Sequence, residues 1–395
     1  MVATESQRDP VVTVIPALDG LRALAAGLVL LTHAAFLTGF GATGGLVGRL
    51  WSRGDFGVAI FFALSGFLLH RGLIAADVDG RLDVFGYAVR RAARLLPAYW
   101  LVLAVVAVGA TPPLRDVVIH AAALQIYWPD AWIGAFGQSW SIATEIAFYV
   151  SLPLAVLGLR PLRRRHAHAP LTVLCLLAVA LTTTSGLGGD AVVGEDIFYD
   201  RWLHSRAPHF LLGMICAETF LARGHRVSHL LTRWGGDVVA CLAVAGGAYL
   251  LATTPIAGGL DLSPGTSTDV VVRTALSGVV ALGLLLPLTH GGPSGYRTVL
   301  SHPTVRHLGV ISYGLFLWHV PVFIALYAVS GVPEFTGALL PLLALGVPLS
   351  LGLAAATHRW VEVPSSRLAG RFLARRRRRE DERREHEDAH APLHR

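Results

Sequence analysis

The amino-acid sequence predicts an all-α, polytopic integral membrane protein of about ten transmembrane helices, with a re-entrant or interfacial segment at 114–128. Three observations carry that prediction. Of 395 residues, 53% are hydrophobic and only 15% charged, with a mean hydropathy of +0.56. Ten apolar runs approach the length of about 20 residues that a helix needs to cross a bilayer. Arginines gather between alternate runs, as the positive-inside rule requires. The chain has no lysine, so its net charge of +7 is set by arginine. The placement of these arginines follows topology, and no nucleic-acid partner is expected.

In chain order, the runs lie at 17–38, 56–75, 96–112, 139–158, 170–187, 206–222, 236–254, 269–289, 309–330 and 336–357. With a cytoplasmic N-terminus, two crossings return the chain to the cytoplasm at Arg90, Arg91 and Arg94. The stretch 114–128 is short and carries Arg115, Asp116, His120 and Gln125. If it spanned fully, Arg160, Arg163, Arg164 and Arg165 would fall outside; a re-entrant segment puts them inside. Arg223, Arg226, Arg233, Arg297, Arg306 and the run Arg375–Arg379 then also fall inside, while Glu195, Asp196, Tyr199, Asp200 and the loop 255–268 fall outside. The expected organisation is a cytoplasmic segment 1–16, a membrane domain 17–358 and a cytoplasmic arginine-rich tail 359–395, read as a solvated helix or a disordered extension. Both termini are expected on the cytoplasmic side of the cell membrane, with the bilayer as a partner. Cys175, Cys216 and Cys241 sit in apolar segments without ligand-like spacing, so neither a disulfide framework nor a metal site is expected.

The first run, ALDGLRALAAGLVLLTHAAF, holds Arg22 and His33. Eleven helical steps return a side chain to within roughly 20° of its starting direction, about 16 Å further along, so both share one face. Ionisable groups inside a membrane cost about 2.5 to 3.5 kcal/mol each on insertion scales, which marks the pair as a candidate site. The plainer reading is a charged and apolar stretch that imitates a signal peptide. A charged-residue relay of this kind also suits a secondary transporter, although no common string relates the two halves of the chain.

Several strings, taken in order, resemble acyltransferase family 3, the integral membrane O-acyltransferases. They are DGLRALAAGLVLLTH, FGVAIFFALSGFLL at 56–69, YAVRRAARLLPAYW at 87–100, QSWSIATEIAFYVSLPL at 138–154, HLGVISYGLFLWHVPVF at 307–323 and RWVEVPSSRL at 359–368. The resemblance implies about ten membrane helices and transfer of an acyl group, usually acetyl, from acyl-CoA to a hydroxyl of a sugar, glycolipid or other acceptor in the cell envelope, with no permanently bound cofactor. It implies catalytic importance for Arg22 and His33, and maps the family's arginine box to Arg90, Arg91 and Arg94. It also maps a tryptophan-serine-x-x-x-glutamate box to Trp140, Ser141 and Glu145. The acidic-glutamine pair that often follows is Ile146 and Ala147 here, and the late glutamate-arginine-proline signature reads Glu362, Val363, Pro364. Some family members append a soluble esterase-like domain; this chain is expected to act alone or with a separate partner.

The chemistry of acyl transfer needs a base for the hydroxyl proton. His33 is the candidate, because an imidazole with a reference pKa of about 6.5 is available unprotonated near neutral pH. Arg22, with Arg90, Arg91 and Arg94, suits the phosphates of the donor, since guanidinium pairs with phosphate through two hydrogen bonds; the last three serve equally as topology anchors. Glu145, expected at a depth like that of His33, has three open roles: orienting His33, handling the acceptor hydroxyl, or pairing with an arginine. Trp140, Ser141 and His319 are candidate substrate contacts. Ser139 and Ser141 also read as helix N-caps, and His319 with Trp318 and Tyr313 as an aromatic belt. His70 and Arg71 are expected to snorkel at the end of the second run, and Glu362 to pair with Arg359. His204, Arg206 and His209 are placed along an acceptor path.

Overall fold

The computed structural model describes residues 14–166, 168–187, 199–221, 226–260 and 265–389. Among these there is no strand, and every one of the ten apolar runs forms a helix. They are α1 (Ala17–Leu37), α2 (Phe56–Val78), α3 (Val84–Ala110), α4 (Trp140–Arg165), α5 (Ala169–Thr184), α6 (Leu203–Leu221), α7 (Val238–Ala252), α8 (Ser267–Thr289), α9 (Ser312–Ser330) and α10 (Leu339–Thr357). Seven helical stretches among the described residues are long and apolar enough to cross a membrane, or eight if the pair Arg226–Gly236 and Val238–Ala252, bent by 84°, counts as one span. Two fall short of that standard for visible reasons: α5 has 16 residues, and α6 carries Arg206, His209 and Glu218. Ten crossings are compatible with this architecture, while length and composition alone qualify seven helices, or eight with the bent pair, as candidate spans among the described residues. Positions 1–13, Glu195, Asp196, Arg223, 261–264 and 390–395, which enter the topological reading, lie outside the described residues.

The helix ends follow from local chemistry. Asp83 caps α3 by accepting from the backbone of Gly86 at 2.7 Å, and Thr266 with Asp269 forms a capping box on α8. Gly331, at φ +68°, closes α9 in the left-handed region where glycine meets no Cβ penalty.

Close packing follows from small residues. A Cβ on Gly66 of α2 would lie 2.1 Å from the carbonyl oxygen of Phe210, and one on Gly213 of α6 would lie 2.0 Å from that of Ala63. The two backbones therefore touch through reciprocal glycines, the mode that replaces a hydrophobic driving force inside lipid. Phe210 stacks on Phe62 at 4.3 Å and on Phe148 at 4.0 Å, tying α2, α6 and α4 around one aromatic column. Helix α1 sits inside this assembly, with Leu21, Ala25, Val29 and Ala34 buried. Val108, Leu176, Val179 and Leu340 are exposed on the outer helices, as a lipid-facing surface requires.

The stretch 114–128 contains only an eight-residue helix, Leu114–Ala121, about 12 Å long and too short to span. Its irregular continuation is held by side chains. Tyr99 donates to the His120 carbonyl at 2.8 Å, Trp100 to that of Ala121 at 2.9 Å, and Trp202 to that of Ile126 at 2.9 Å. Non-helical backbone at this position is tolerated because protein groups satisfy it.

The tail is helical. Helix α10 continues through a π-turn, His358–Glu362, into the helix Val363–Ala389, with no break at residue 359. Arg376–Glu380 and Arg378–Glu382 pairs one turn apart support it. Arg377 lies 3.7 Å from Asp83 and Arg376 stands 4.2 Å over the Phe85 ring, so the tail docks on the start of α3.

Two expectations are corrected here. His70 and Arg71 do not end α2, which runs to Val78. His70 is fully buried and bonds Glu218 at 2.9 Å, which also receives Arg163 at 2.5 Å; Arg71 lies against the Phe67 and Phe220 rings. Glu362 pairs with His358 at 3.2 Å rather than with Arg359.

Candidate active site

Most of the site residues read from the sequence divide between two cavities strung along one face of α1. The arginine cavity is lined by Arg22, Arg91, Arg94, Ser65, Ser141 and Glu145, with Tyr149 and Tyr313. The histidine cavity is lined by His33, Trp132, Gln138, Trp140, Arg201 and Arg206, with Asp55, Asp200, Arg273 and Glu334. Val58 belongs to both walls. Arg22 and His33 share a helix face, as their spacing requires, yet each serves a different chamber.

In the arginine cavity, Arg22 is held by Asp19 at 2.9 Å. Glu145 Oε1 accepts from Ser65 Oγ and from Tyr149 Oη, both at 2.7 Å. These bonds fix the carboxylate among the arginines. No hydrogen bond among the described residues joins it to His33, so the direct orienting role for that histidine is not what this geometry contains. Arg90 also separates from its neighbours: it faces Arg377 and Arg378 of the tail instead of the cavity that holds Arg91 and Arg94. The Trp140–Ser141 pair straddles the two chambers, because consecutive helical residues point about 100° apart. Ser139 occupies the N-cap position of α4 without a side-chain cap bond, and its hydroxyl instead receives Gln125 at 3.1 Å. Ser141 Oγ points to the Gln138 carbonyl at 3.5 Å.

His33 and His319 meet directly. His319 Nδ1 stands 3.1 Å from the Leu315 carbonyl one turn back, which places its proton on Nδ1 and a lone pair on Nε2. That Nε2 is 3.2 Å from His33 Nδ1, which is also 2.8 Å from the Val29 carbonyl. Two acceptors facing one nitrogen assign the His33 proton to Nδ1 and leave Nε2 as the lone-pair nitrogen. The rings lie 4.9 Å apart and edge-on at 67°. The sequence holds the signal for His319 but not for this pairing, since 286 residues separate the two.

Around them, Arg201 stacks over the Trp132 ring at 4.7 Å and Arg206 over Trp140 at 5.0 Å, while Arg206 also bonds Asp200 at 2.9 Å. Arg206 thus lies on the cavity wall. His209 is buried and bonds Ser277 at 2.8 Å, and His204 contacts Ser205 at 3.0 Å; neither lines this cavity. Sequence reasoning does not single out Arg201, Arg273 or Trp132, since none stands in a charged pair or box; Gln138 opens the string at 138–154 but is given no role there. Among the described residues no group of three or more metal-ligating side chains comes together.

The helical bundle thus carries a histidine chamber and an arginine chamber along one apolar helix. The chain belongs to acyltransferase family 3: residues 15–359 match that family's acyltransferase domain. It is 26% identical over 378 residues to the peptidoglycan O-acetyltransferase OatA of Listeria monocytogenes, an alignment covering 89% of this chain and 55% of that protein. It is 24% identical over 374 residues to the O-acetyltransferase OatA of Staphylococcus aureus, covering 89% and 57%. The chain therefore spans just over half the length of these curated relatives. No solved structure matches it.

Proposed function

We propose that this protein is a membrane O-acyltransferase that moves an acyl group, acetyl by the names of its relatives, from acyl-CoA to a hydroxyl of peptidoglycan or another cell-envelope polysaccharide. The observation that carries the proposal is the His33–His319 pair: His33 Nδ1 is engaged by Val29 and His319, so Nε2 is left to take a proton inside a chamber walled by tryptophan and arginine.

In the reaction, the acceptor hydroxyl gives its proton to His33 Nε2 as its oxygen attacks the thioester carbonyl. The tetrahedral intermediate then expels the CoA sulfur, breaking the C–S bond, and the histidine proton passes to the leaving thiolate. Acyl ester and CoA–SH result, with His33 neutral again. His319, through the lone pair of Nε2, stabilises the positive charge that His33 carries between the two transfers. General base catalysis of this kind contributes typically about 10² to 10⁴-fold.

The arginine cavity is read as the donor side. Arg22, Arg91 and Arg94 suit the phosphates of CoA, and Glu145, held by Ser65 and Tyr149, keeps the cluster from filling with like charge alone. With both termini cytoplasmic, that cavity opens toward the compartment that holds acyl-CoA, and the acyl arm passes Val58 to reach His33. Trp140 and Ser141, on either side of that boundary, are read as acceptor and donor contacts respectively.

The test is release of CoA from acetyl-CoA by purified protein in nanodiscs, with a cell-envelope extract as acceptor. Turnover that needs both the extract and His33 supports the proposal. A folded His33→Ala variant with full activity removes the base assignment, and a folded wild type that neither binds nor turns over acyl-CoA removes the reaction itself.

A further inference from the structure

We infer that Gln138 selects the acceptor: its amide oxygen accepts a hydrogen bond from a second hydroxyl or N–H of the acceptor sugar while His33 engages the hydroxyl to be acylated. This rests on the acyl-transfer reading and deepens it.

Gln138 lies in the short 3₁₀ stretch Gly134–Ser139, which bends at Phe136 (φ −126°, ψ 22°) just before α4 begins. Gln138 is 2% exposed. The amide Nε2 donates to the Leu317 carbonyl of α9 at 2.7 Å, two residues before His319. That bond fixes which way round the amide sits, because a flipped amide would set two carbonyl oxygens against each other. Oε1 is thereby committed, and it is buried with no hydrogen-bond partner among the described residues. Gln138 is a wall residue of the histidine cavity.

Buried acceptors without partners are rare in folded proteins, and each calls for an explanation. An amide oxygen can only accept, so the missing partner is a donor. A carboxylate or ether at that position is rejected, and a hydroxyl or an acetamido N–H is taken. Trp132 and Trp140 line the same chamber and offer apolar ring faces to the C–H surface of a sugar. The ligand class is therefore a glycan with at least two donor groups near one another, one reacting at His33 and one held by Gln138.

The test uses Gln138→Met, which keeps the bulk and removes the acceptor, with CoA release from acetyl-CoA measured against increasing envelope extract in nanodiscs. The half-saturating amount of extract should rise about tenfold, the effect of losing one net hydrogen bond. The maximal rate should stay within about threefold, and the half-saturating acetyl-CoA should not move. Gln138→Glu is the counterpart: in neutral form it gives an O–H to Leu317 and keeps an acceptor oxygen in the place of Oε1, so its extract curve should stay within about threefold of wild type.

A folded Gln138→Met whose extract curve superimposes on wild type overturns the assignment, and so does an equal rise in half-saturation for donor and acceptor, which marks a structural role. Should the methionine variant not fold, a tenfold shift in the Gln138→Glu extract curve with donor values unchanged overturns it as well. A wild type that releases no CoA with extract fails the acyl-transfer reading and this assignment together, whereas a working wild type with an unaltered methionine variant fails this assignment alone.

Discussion

The two chambers on α1 are built from the same kinds of side chain and arranged to opposite ends. The arginine cavity sets three guanidinium groups, one of them paired with Asp19, against one lining carboxylate that is already bonded to a serine and a tyrosine. It keeps a surplus of positive charge for an anion. The histidine cavity has three arginines as well, yet Asp55, Asp200 and Glu334 line it with them, and two of its arginines lie over tryptophan rings. Its charge is balanced and its walls are aromatic, which suits a large polar ligand of low charge. The lesson is that charge count alone does not identify a donor site; what matters is how much of the charge the protein has already neutralised.

The largest break in that comparison is His33→Ala. It should lower CoA release by about 10² to 10⁴-fold with membrane insertion and thermal stability retained, since among the described residues His33 bonds only Val29 and His319. Next, Arg91→Ala with Arg94→Ala should raise the half-saturating acetyl-CoA by at least about tenfold while leaving the extract curve in place, because charge-assisted bonds to phosphate are the stronger kind. Arg90→Ala should change it by less than about threefold, since Arg90 faces the tail. Equal effects from all three arginines would erase the distinction between cavity wall and topology anchor.

His319→Gln gives a smaller effect, about tenfold on the maximal rate with both half-saturation values unchanged. As a positioning residue, His319 is tested by the pH profile. It stabilises His33 carrying a proton, so its loss should displace the acid limb of the rate profile toward lower pH. An unmoved limb would reduce His319 to packing. Gly213→Ala should act on the frame alone: its Cβ meets the Ala63 carbonyl, so the melting temperature should fall in keeping with a cost of about 1–3 kcal/mol for overpacking, while both half-saturation values stay fixed.

The helices were legible in the sequence because each is a continuous apolar run, and the short 114–128 segment was legible because Arg160–Arg165 otherwise falls on the wrong side. Helix boundaries were less so. The pair His70 and Arg71 reads as a polar end to α2, yet the helix continues past it to Val78. Glu218 of α6 accepts His70, and the Phe67 and Phe220 rings cover Arg71. The Glu218 contact joins positions 148 residues apart, which no local pattern announces.

Glu145 is a related case, since it lies with Arg22 in the arginine cavity rather than beside His33. The irregular chain between Ala122 and Ser139 has no period from which a depth can be counted, so α4 starts at a level that only the folded contacts define. The division of Trp140 from Ser141 follows from helix geometry, but which chamber each one faces depends on α2, α6 and α9. That Arg22 and His33 share one face was legible from spacing alone, because both lie on one uninterrupted helix.

Val58 stands in the wall of both chambers. It is the aliphatic residue that the two recesses have in common. In the proposed reaction, a passage for an acyl arm at this point would have to open for a thioester and close to protons and sodium within the same turnover. Val58→Gly in proteoliposomes should therefore dissipate an imposed proton gradient faster than wild type, so electrical tightness is a constraint on this residue alongside any demand of catalysis.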